Sequence, residues 1–381
     1  MKALKSRLPD VGTTIFSTMS ALAEKHGAVN LGQGFPDFGC DPQLRDAVTH
    51  AMRAGHNQYA PMAGAAPLRQ AVAAKIALLY GHRYDPDTEI TITAGATQAI
   101  FTALLAVVHP GDEVIVLEPC YDSYAPNIEL AGGVVVRVPL TPGTFRPDFT
   151  AIQSALTAKT RAIILNTPHN PTGTVWTSVE MRKLAALLAG TQVMVISDEV
   201  YEHMVFDGAS HQSVARHHDL AERSFVVSSF GKTFHVTGWK VGYVAAPARK
   251  MAEFRKVHQY NVFSVNTPMQ HGLAEYMADP RPVLELSAFY QKKRDLFRHG
   301  LAATKLKLLP CEGSYFQSVD YSAVSVLPDL EFCQWLAAEA GVAAIPLSAF
   351  YAGGTRQTIV RFCFAKKDGT LRQALSHLKK L

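Results

Sequence analysis

The sequence predicts an α/β protein with a mostly parallel sheet covered by helices on both faces, followed by a smaller α+β part. Three observations carry this reading. From residue 90 to residue 228, short β-branched runs recur, and helical patterns separate some of them. Each run is nearly uniformly apolar, as a strand buried on both faces must be. Beyond about residue 275 the order changes to long helices with short strands between them. The length, 381 residues, exceeds one usual domain of about 100–200 residues.

Taken in order, residues 1–45 lack a strand–helix pattern and are rich in Gly and Pro, which suggests an arm packing on the C-terminal part as part of a small domain. Strands are expected at 90–93, 114–117, 134–138, 162–165, 193–197 and 225–228, with helices at 97–108, 123–130 and 178–188. A long helical region spans 249–276 with Pro268 inside it, and another helix covers 286–301. Strands near 306–309 and 315–319, a helix near 330–340, strands near 342–345 and 358–363, and a helix running to 381 complete the pattern. The expected division is therefore an arm at 1–45, a large domain at 46–275 and a small domain at 276–381.

Composition narrows the function classes. Hydrophobic residues make up 48% and charged residues 18%, which excludes wholesale disorder. Lys and Arg total 37 against 32 Asp and Glu, a net charge of +5. The basic residues are scattered, with short runs such as Lys292-Lys293-Arg294 that read as solvated helix faces, so no nucleic-acid partner is expected. The longest uncharged stretch, 90–111, contains Thr91, Thr93, Gly95, Thr97, Gln98 and His109, too polar for a membrane span. No apolar core follows Met1-Lys2-Ala3-Leu4-Lys5, so no signal peptide is expected. Cys40, Cys120, Cys311, Cys333 and Cys363 form no Cys-x-x-Cys pair, which suggests reduced thiols in the cytoplasm. Among the 15 histidines only His217-His218 are adjacent and there is no His-Glu-x-x-His, so no metal site is expected.

Ligands of such sheets bind beyond the carboxyl ends of the strands. The first strand is followed by Ala94-Gly95-Ala96-Thr97-Gln98, a glycine turn opening a helix. Free backbone N–H groups and the helix dipole make such a turn an anion site. On its own the plainer reading is a tight turn with Thr97 as a cap. The strand at 162–165 leads into Asn166-Thr167-Pro168-His169-Asn170-Pro171-Thr172-Gly173, a loop stiffened by two prolines. The strand at 193–197 ends on Asp198-Glu199-Val200-Tyr201. A carboxylate there is costly unless paired, and a helix N-cap is the plainer role. The strand at 225–228 leads into Ser229-Phe230-Gly231-Lys232-Thr233. A P-loop needs a glycine five residues before Gly231; Val226 stands there. What remains is a strand-end lysine, which when desolvated becomes a nucleophile toward carbonyls.

A lysine, an acid and an anion cradle at one sheet edge are the parts a pyridoxal phosphate (PLP) site needs. On the motifs 166–173, 197–201 and 228–242, in this order, the chain resembles the fold-type-I PLP enzymes, specifically the class I aminotransferases. The likeness runs from Asn30-Leu31-Gly32-Gln33-Gly34-Phe35-Pro36-Asp37-Phe38 to Arg361-Phe362-Cys363-Phe364-Ala365-Lys366. Segments 93–98, 121–126 and 228–243 are most similar to the methionine-type subgroup, with the kynurenine/glutamine type next.

The resemblance implies a seven-stranded large-domain sheet and a homodimer with shared active sites. Lys232 would be the Schiff-base lysine and would move the proton from the substrate Cα. Asp198 would pair with the pyridinium N–H, Tyr201 and Asn170 would bond the ring's phenolic oxygen, and Tyr121 would stack on the ring. Ala96, Thr97, Ser229 and Lys240 would hold the phosphate, joined by Tyr59 of the neighbouring subunit. Many relatives carry Arg where Lys240 stands. Arg361 would clamp the substrate carboxylate, assisted by Asn170 and the Gly34 backbone. Phe16, Phe38, Phe350 and Tyr351 flank these segments and could line an apolar pocket or serve as core. The implied activity is ping-pong transamination between an amino acid, methionine or an aromatic one, and a 2-oxo acid. A cysteine-conjugate C–S β-lyase shares the same lysine and acid.

Overall fold

The computed structural model describes residues 4–353 and 355–381. Residues 1–3, the start of the expected arm, lie outside them. The strands are β1 (Val29–Asn30), β2 (Ile90–Thr93), β3 (Glu113–Glu118), β4 (Val134–Pro139), β5 (Thr160–Asn166), β6 (Met194–Asp198), β7 (Ser224–Ser229), β8 (Gly242–Ala245), β9 (Lys307–Leu308), β10 (Phe316–Asp320), β11 (Val342–Ala343), β12 (Ile345–Pro346) and β13 (Ile359–Cys363). Seven form one sheet in the order β2-β8-β7-β6-β5-β3-β4. Six run the same way; β8 alone is antiparallel to both its neighbours.

Alternation along each strand fills both faces, because successive side chains point to opposite sides. Val114 and Val116 join Ile100, Leu104, Phe225, Val227 and Phe254 in one core. Ile115 and Leu117 join Ile163, Leu165, Val195, Met181 and Leu184 in another. Each buried side chain of this size contributes roughly 1.5–3 kcal/mol.

β8 was not anticipated from sequence. It has four residues and opens on a glycine, so it shows neither alternation nor a long apolar run. The helical region expected at 249–276 is two helices, Ala248–Asn261 and Thr267–Tyr276. Asn266 caps the second, accepting from the Met269 N–H, and Pro268 sits in its first turn, where a missing N–H costs nothing. The strand expected at 342–345 divides between two sheets.

β9, β10, β12 and β13 form a second, antiparallel sheet. β1 pairs in parallel with β11, so the N-terminal segment is stitched to the C-terminal third. Because β8 runs backwards, its first residue lies at the same sheet edge as the last residues of β2, β5, β6 and β7. That edge faces β10 and β13 across a cleft.

Candidate active site

The cleft, about 240 Å³, is lined by Gly34, Ala96, Thr97, Tyr121, Asn170, Asp198, Tyr201, Ser229, Lys232, Lys240 and Arg361. The cofactor and substrate candidates named from sequence are thus in one place, except Tyr59; of the four possible pocket aromatics only Phe16 lines the cleft. The Tyr59 ring is 81% exposed, packs edge-on against Phe263 at 5.2 Å, and does not line its own chain's cleft.

Lys232 lies in the short helix Phe230–Thr233 that follows β7. Its Nζ donates to the Gly34 carbonyl at 3.1 Å and to the Tyr315 hydroxyl at 2.9 Å. Burial pushes the amine down to about 8, with the Arg361 and Lys240 charges adding to the effect. Asp198 closes β6 and begins no helix, so the N-cap role does not apply. Its Oδ2 accepts from the Tyr124 hydroxyl at 2.6 Å, and its Oδ1 accepts a longer bond from the Val200 N–H at 3.3 Å. Burial raises this carboxyl to about 6 against the opposing pull of Tyr124, Val200 and Lys232.

Asn170 and Arg361 meet across the cleft. Arg361 Nη1 donates to Asn170 Oδ1 at 2.6 Å and Nη2 to the Gly32 carbonyl at 3.0 Å. Its guanidinium sits 3.9 Å from the Phe316 ring centroid, with Phe350 and Phe16 at 5.0 and 5.4 Å. The carbonyl that Arg361 meets is that of Gly32, while the Gly34 carbonyl accepts from Lys232 and Gly34 itself lines the cleft. Phe38 instead packs on His235 and Phe289; neither it nor Tyr351 lines the cleft.

The turn after β2 has Gly95 at φ +81°, a conformation that favours glycine. Gly95 is the N-cap of Ala96–Val107, and no side chain caps that helix. The turn is braced from behind, as the Gln98 side chain accepts from the Ala94 N–H at 2.9 Å. Lys240, at φ +55°, brings its Nζ within 3.4 Å of the place a Gly95 Cβ would occupy. Thr97 faces the cleft and is not the cap. Gly242 must be glycine here, because a Cβ would stand 2.6 Å from the Ser228 carbonyl oxygen and 3.2 Å from the Ala96 nitrogen.

Sequence reasoning gave no role to Asn166, Tyr124, Tyr315 or Phe316. Asn166 had the clearest signal, lying in the proline loop. Its side chain donates to the Asp198 carbonyl at 2.9 Å and accepts from the Asn170 N–H at 2.8 Å. The tyrosines and Phe316 occupy positions that read as ordinary core.

This donor set fits PLP. An uncapped helix N-terminus beside an ammonium suits a phosphate. The buried Asp198 carboxylate and the amine of the half-buried Lys232 line the same cleft. Among the described residues Arg361 Nε is buried and has no partner, a free donor beside the cleft.

The comparisons agree. The family model for aminotransferase class I and II matches residues 26–378. Methionine aminotransferase of Escherichia coli is 53% identical over 99% of this chain and 98% of its own. A crystal structure of an Escherichia coli protein identified by its reactivity as a methionine aminotransferase superposes with a TM-score of 0.98, at 53% identity, over 100% of both chains. N-succinyldiaminopimelate aminotransferase from Mycobacterium tuberculosis follows at 0.95 and 42% identity, over 99% of this chain and 100% of its own. Human kynurenine–oxoglutarate transaminase 1 is 36% identical over 94% of this chain and 93% of its own. The chain belongs to the class I and II aminotransferases and shares their dependence on PLP.

Proposed function

We propose that this transaminase takes its amino group from methionine, and also from aromatic amino acids, and passes it to a 2-oxo acid by a ping-pong mechanism. The observation that carries the proposal is the buried Lys232 amine, held in one cleft with Asp198 and Arg361. The 53% identity to a methionine aminotransferase supports the donor. So do the Phe16 and Phe316 rings, which line the cleft beside Arg361 and suit an apolar substrate side chain.

When bound, PLP supplies an electron sink and carries the amino group between the two substrates. Asp198 would keep the ring nitrogen protonated through a charge-assisted bond, roughly twice as strong as a neutral one. Asn170, Tyr201 and Tyr121 would orient the ring, and Ala96, Thr97, Ser229 and Lys240 would hold the phosphate. Arg361 fixes the substrate carboxylate with its planar fork, so that the Cα proton faces Lys232. Lys232, neutral above about pH 8, removes that proton and later returns it.

The chain acts as a homodimer in the cytoplasm, with Tyr59 reaching the partner's phosphate. The exposed Tyr59–Phe263 pair and the five free cysteines support this. Residues 1–45 and 276–381 form the small domain and 46–275 the large one, a division supported by the β1–β11 pairing. Among the described residues no helix is long and apolar enough to cross a membrane.

Initial rates with methionine, phenylalanine, kynurenine and aspartate as single donors test the reading. Methionine is expected to exceed aspartate by at least about tenfold, the worth of one lost apolar contact. Pyruvate and ammonia from a cysteine conjugate, without a new amino acid, would assign the site to β-elimination.

A further inference from the structure

Tyr124 opens the helix Tyr124–Leu130. It is fully buried, 2% exposed, and the transamination scheme above gives it no part. Its hydroxyl lies 2.6 Å from Asp198 Oδ2. Its ring meets the Tyr121 ring edge-on, at 5.8 Å between centroids and 81° between planes. Among the described residues it is the only side chain that hydrogen-bonds the Asp198 carboxylate. The backbone of Asp198 is pinned separately, its carbonyl accepting from Asn166 Nδ2 at 2.9 Å and from the Thr167 N–H at 3.1 Å. The main chain therefore fixes where the carboxylate starts, and Tyr124 fixes how it is turned.

We propose that Tyr124 is the positioning residue of the cofactor ring: its hydroxyl orients Asp198 and keeps it ionised, while its ring backs Tyr121. The assignment rests on reading the cleft as the PLP site.

The physical argument has two parts. A carboxylate 4% exposed is poorly solvated, and burial drives it toward the neutral acid. A neutral Asp198 could not keep a pyridine nitrogen protonated. A hydroxyl can donate only one hydrogen, and here the phenol gives it to the carboxylate, which favours the ionised form. The other charged groups facing Asp198 are Lys232, which also favours that form, and Glu199, which opposes it. With Oδ2 engaged, Oδ1 keeps only the 3.3 Å bond from the Val200 N–H, which leaves it free for the ring nitrogen.

The test is a double-substitution cycle read by PLP affinity of the cofactor-free dimer, not by turnover. Tyr124→Phe keeps the ring on Tyr121 and removes only the hydroxyl. One charge-assisted hydrogen bond predicts a loss of PLP affinity of about 10- to 100-fold. In an Asp198→Asn background the same substitution should change affinity by less than about threefold. The pH profile gives an independent reading. Wild-type affinity should fall as Asp198 protonates near pH 6; without the hydroxyl the carboxyl titrates higher, so the fall should begin at higher pH.

Wild-type affinity in Tyr124→Phe overturns the proposal. So does an equal loss in both backgrounds, which would place the effect in ring packing. Should Tyr124→Phe fail to fold, the same cycle and criteria are applied with Tyr124→Met, which also removes the donor. Failure of the wild-type protein to bind PLP would instead overturn the reading of the site itself.

Discussion

Arg361 Nη1 lies 2.6 Å from Asn170 Oδ1, joining β13 of the second sheet to the proline loop of the first. Among the described residues Arg361 Nε is buried and has no partner. Burial lowers the guanidinium to about 10, still charged at neutral pH. A lysine there would keep the charge and lose the fork. Arg361→Lys should lower kcat/KM for every amino-acid donor by about 100-fold, near 3 kcal/mol of transition-state binding, with PLP affinity unchanged. Steady-state kinetics beside a PLP titration separates the two effects.

In the proposed scheme Lys232 carries both nucleophile and proton-transfer roles. Lys232→Ala should still bind PLP yet lose about 10⁴-fold or more in turnover. Single-turnover mixing with methionine measures this.

The same lysine makes the cofactor-free protein less stable. Its folded value, about 8, lies below the ordinary 10.5. Between these values the unfolded chain binds more protons than the native one, so stability rises with pH across roughly 8–10.5. Below that window the folded state holds a buried ammonium. Lys232→Met should therefore stabilise the cofactor-free protein at pH 7 by about 1–3 kcal/mol, an advantage that disappears by pH 10.5. Urea unfolding at the two pH values reads it.

A second buried charge pair lies behind the cleft. Lys75 Nζ stands 2.6 Å from Glu202 Oε1, which also accepts from Ser228 and Tyr243. Lys75, assisted by His203, holds Glu202 well below the ordinary carboxylate range against the effect of burial. Lys75→Met strands that carboxylate and should destabilise the protein by about 3–5 kcal/mol at pH 7. The deficit against wild type should shrink as pH falls, since a protonated Glu202 needs no cation. Unfolding midpoints from pH 4 to pH 8 give the comparison.

Where β8 passes the turn at Gly95 and Ala96 there is no room for a methyl group. Gly242→Ala would press on the Ser228 carbonyl and the Ala96 nitrogen. It should cost about 1–3 kcal/mol of stability and weaken PLP binding about tenfold, seen as a lower Tm and a higher dissociation constant.

Much of this site was legible because parallel strands advertise themselves as apolar runs and place chemistry just past their ends. Asn170, Asp198 and Lys232 all follow such runs. β8 did not show: the equally short β2 is β-branched at all four positions, whereas β8 opens on a glycine and has only Val244. Its first residues were nonetheless found through the motif that contains Lys240. Tyr124 and Tyr315 were missed for a different reason. A tyrosine's letter in the sequence does not say which group its hydroxyl meets, and only the fold brings Asp198 and Lys232 to those oxygens. Tyr59 was named by resemblance alone, and its own chain gives it no contact with the cleft.

The most direct measurement is the absorption spectrum of the PLP-loaded protein during titration with methionine and no acceptor. The account predicts that the aldehyde-form cofactor band gives way to the amine-form band, with one equivalent of 2-oxo acid released per bound cofactor. A cofactor band that methionine leaves unchanged, with no 2-oxo acid formed, would contradict it.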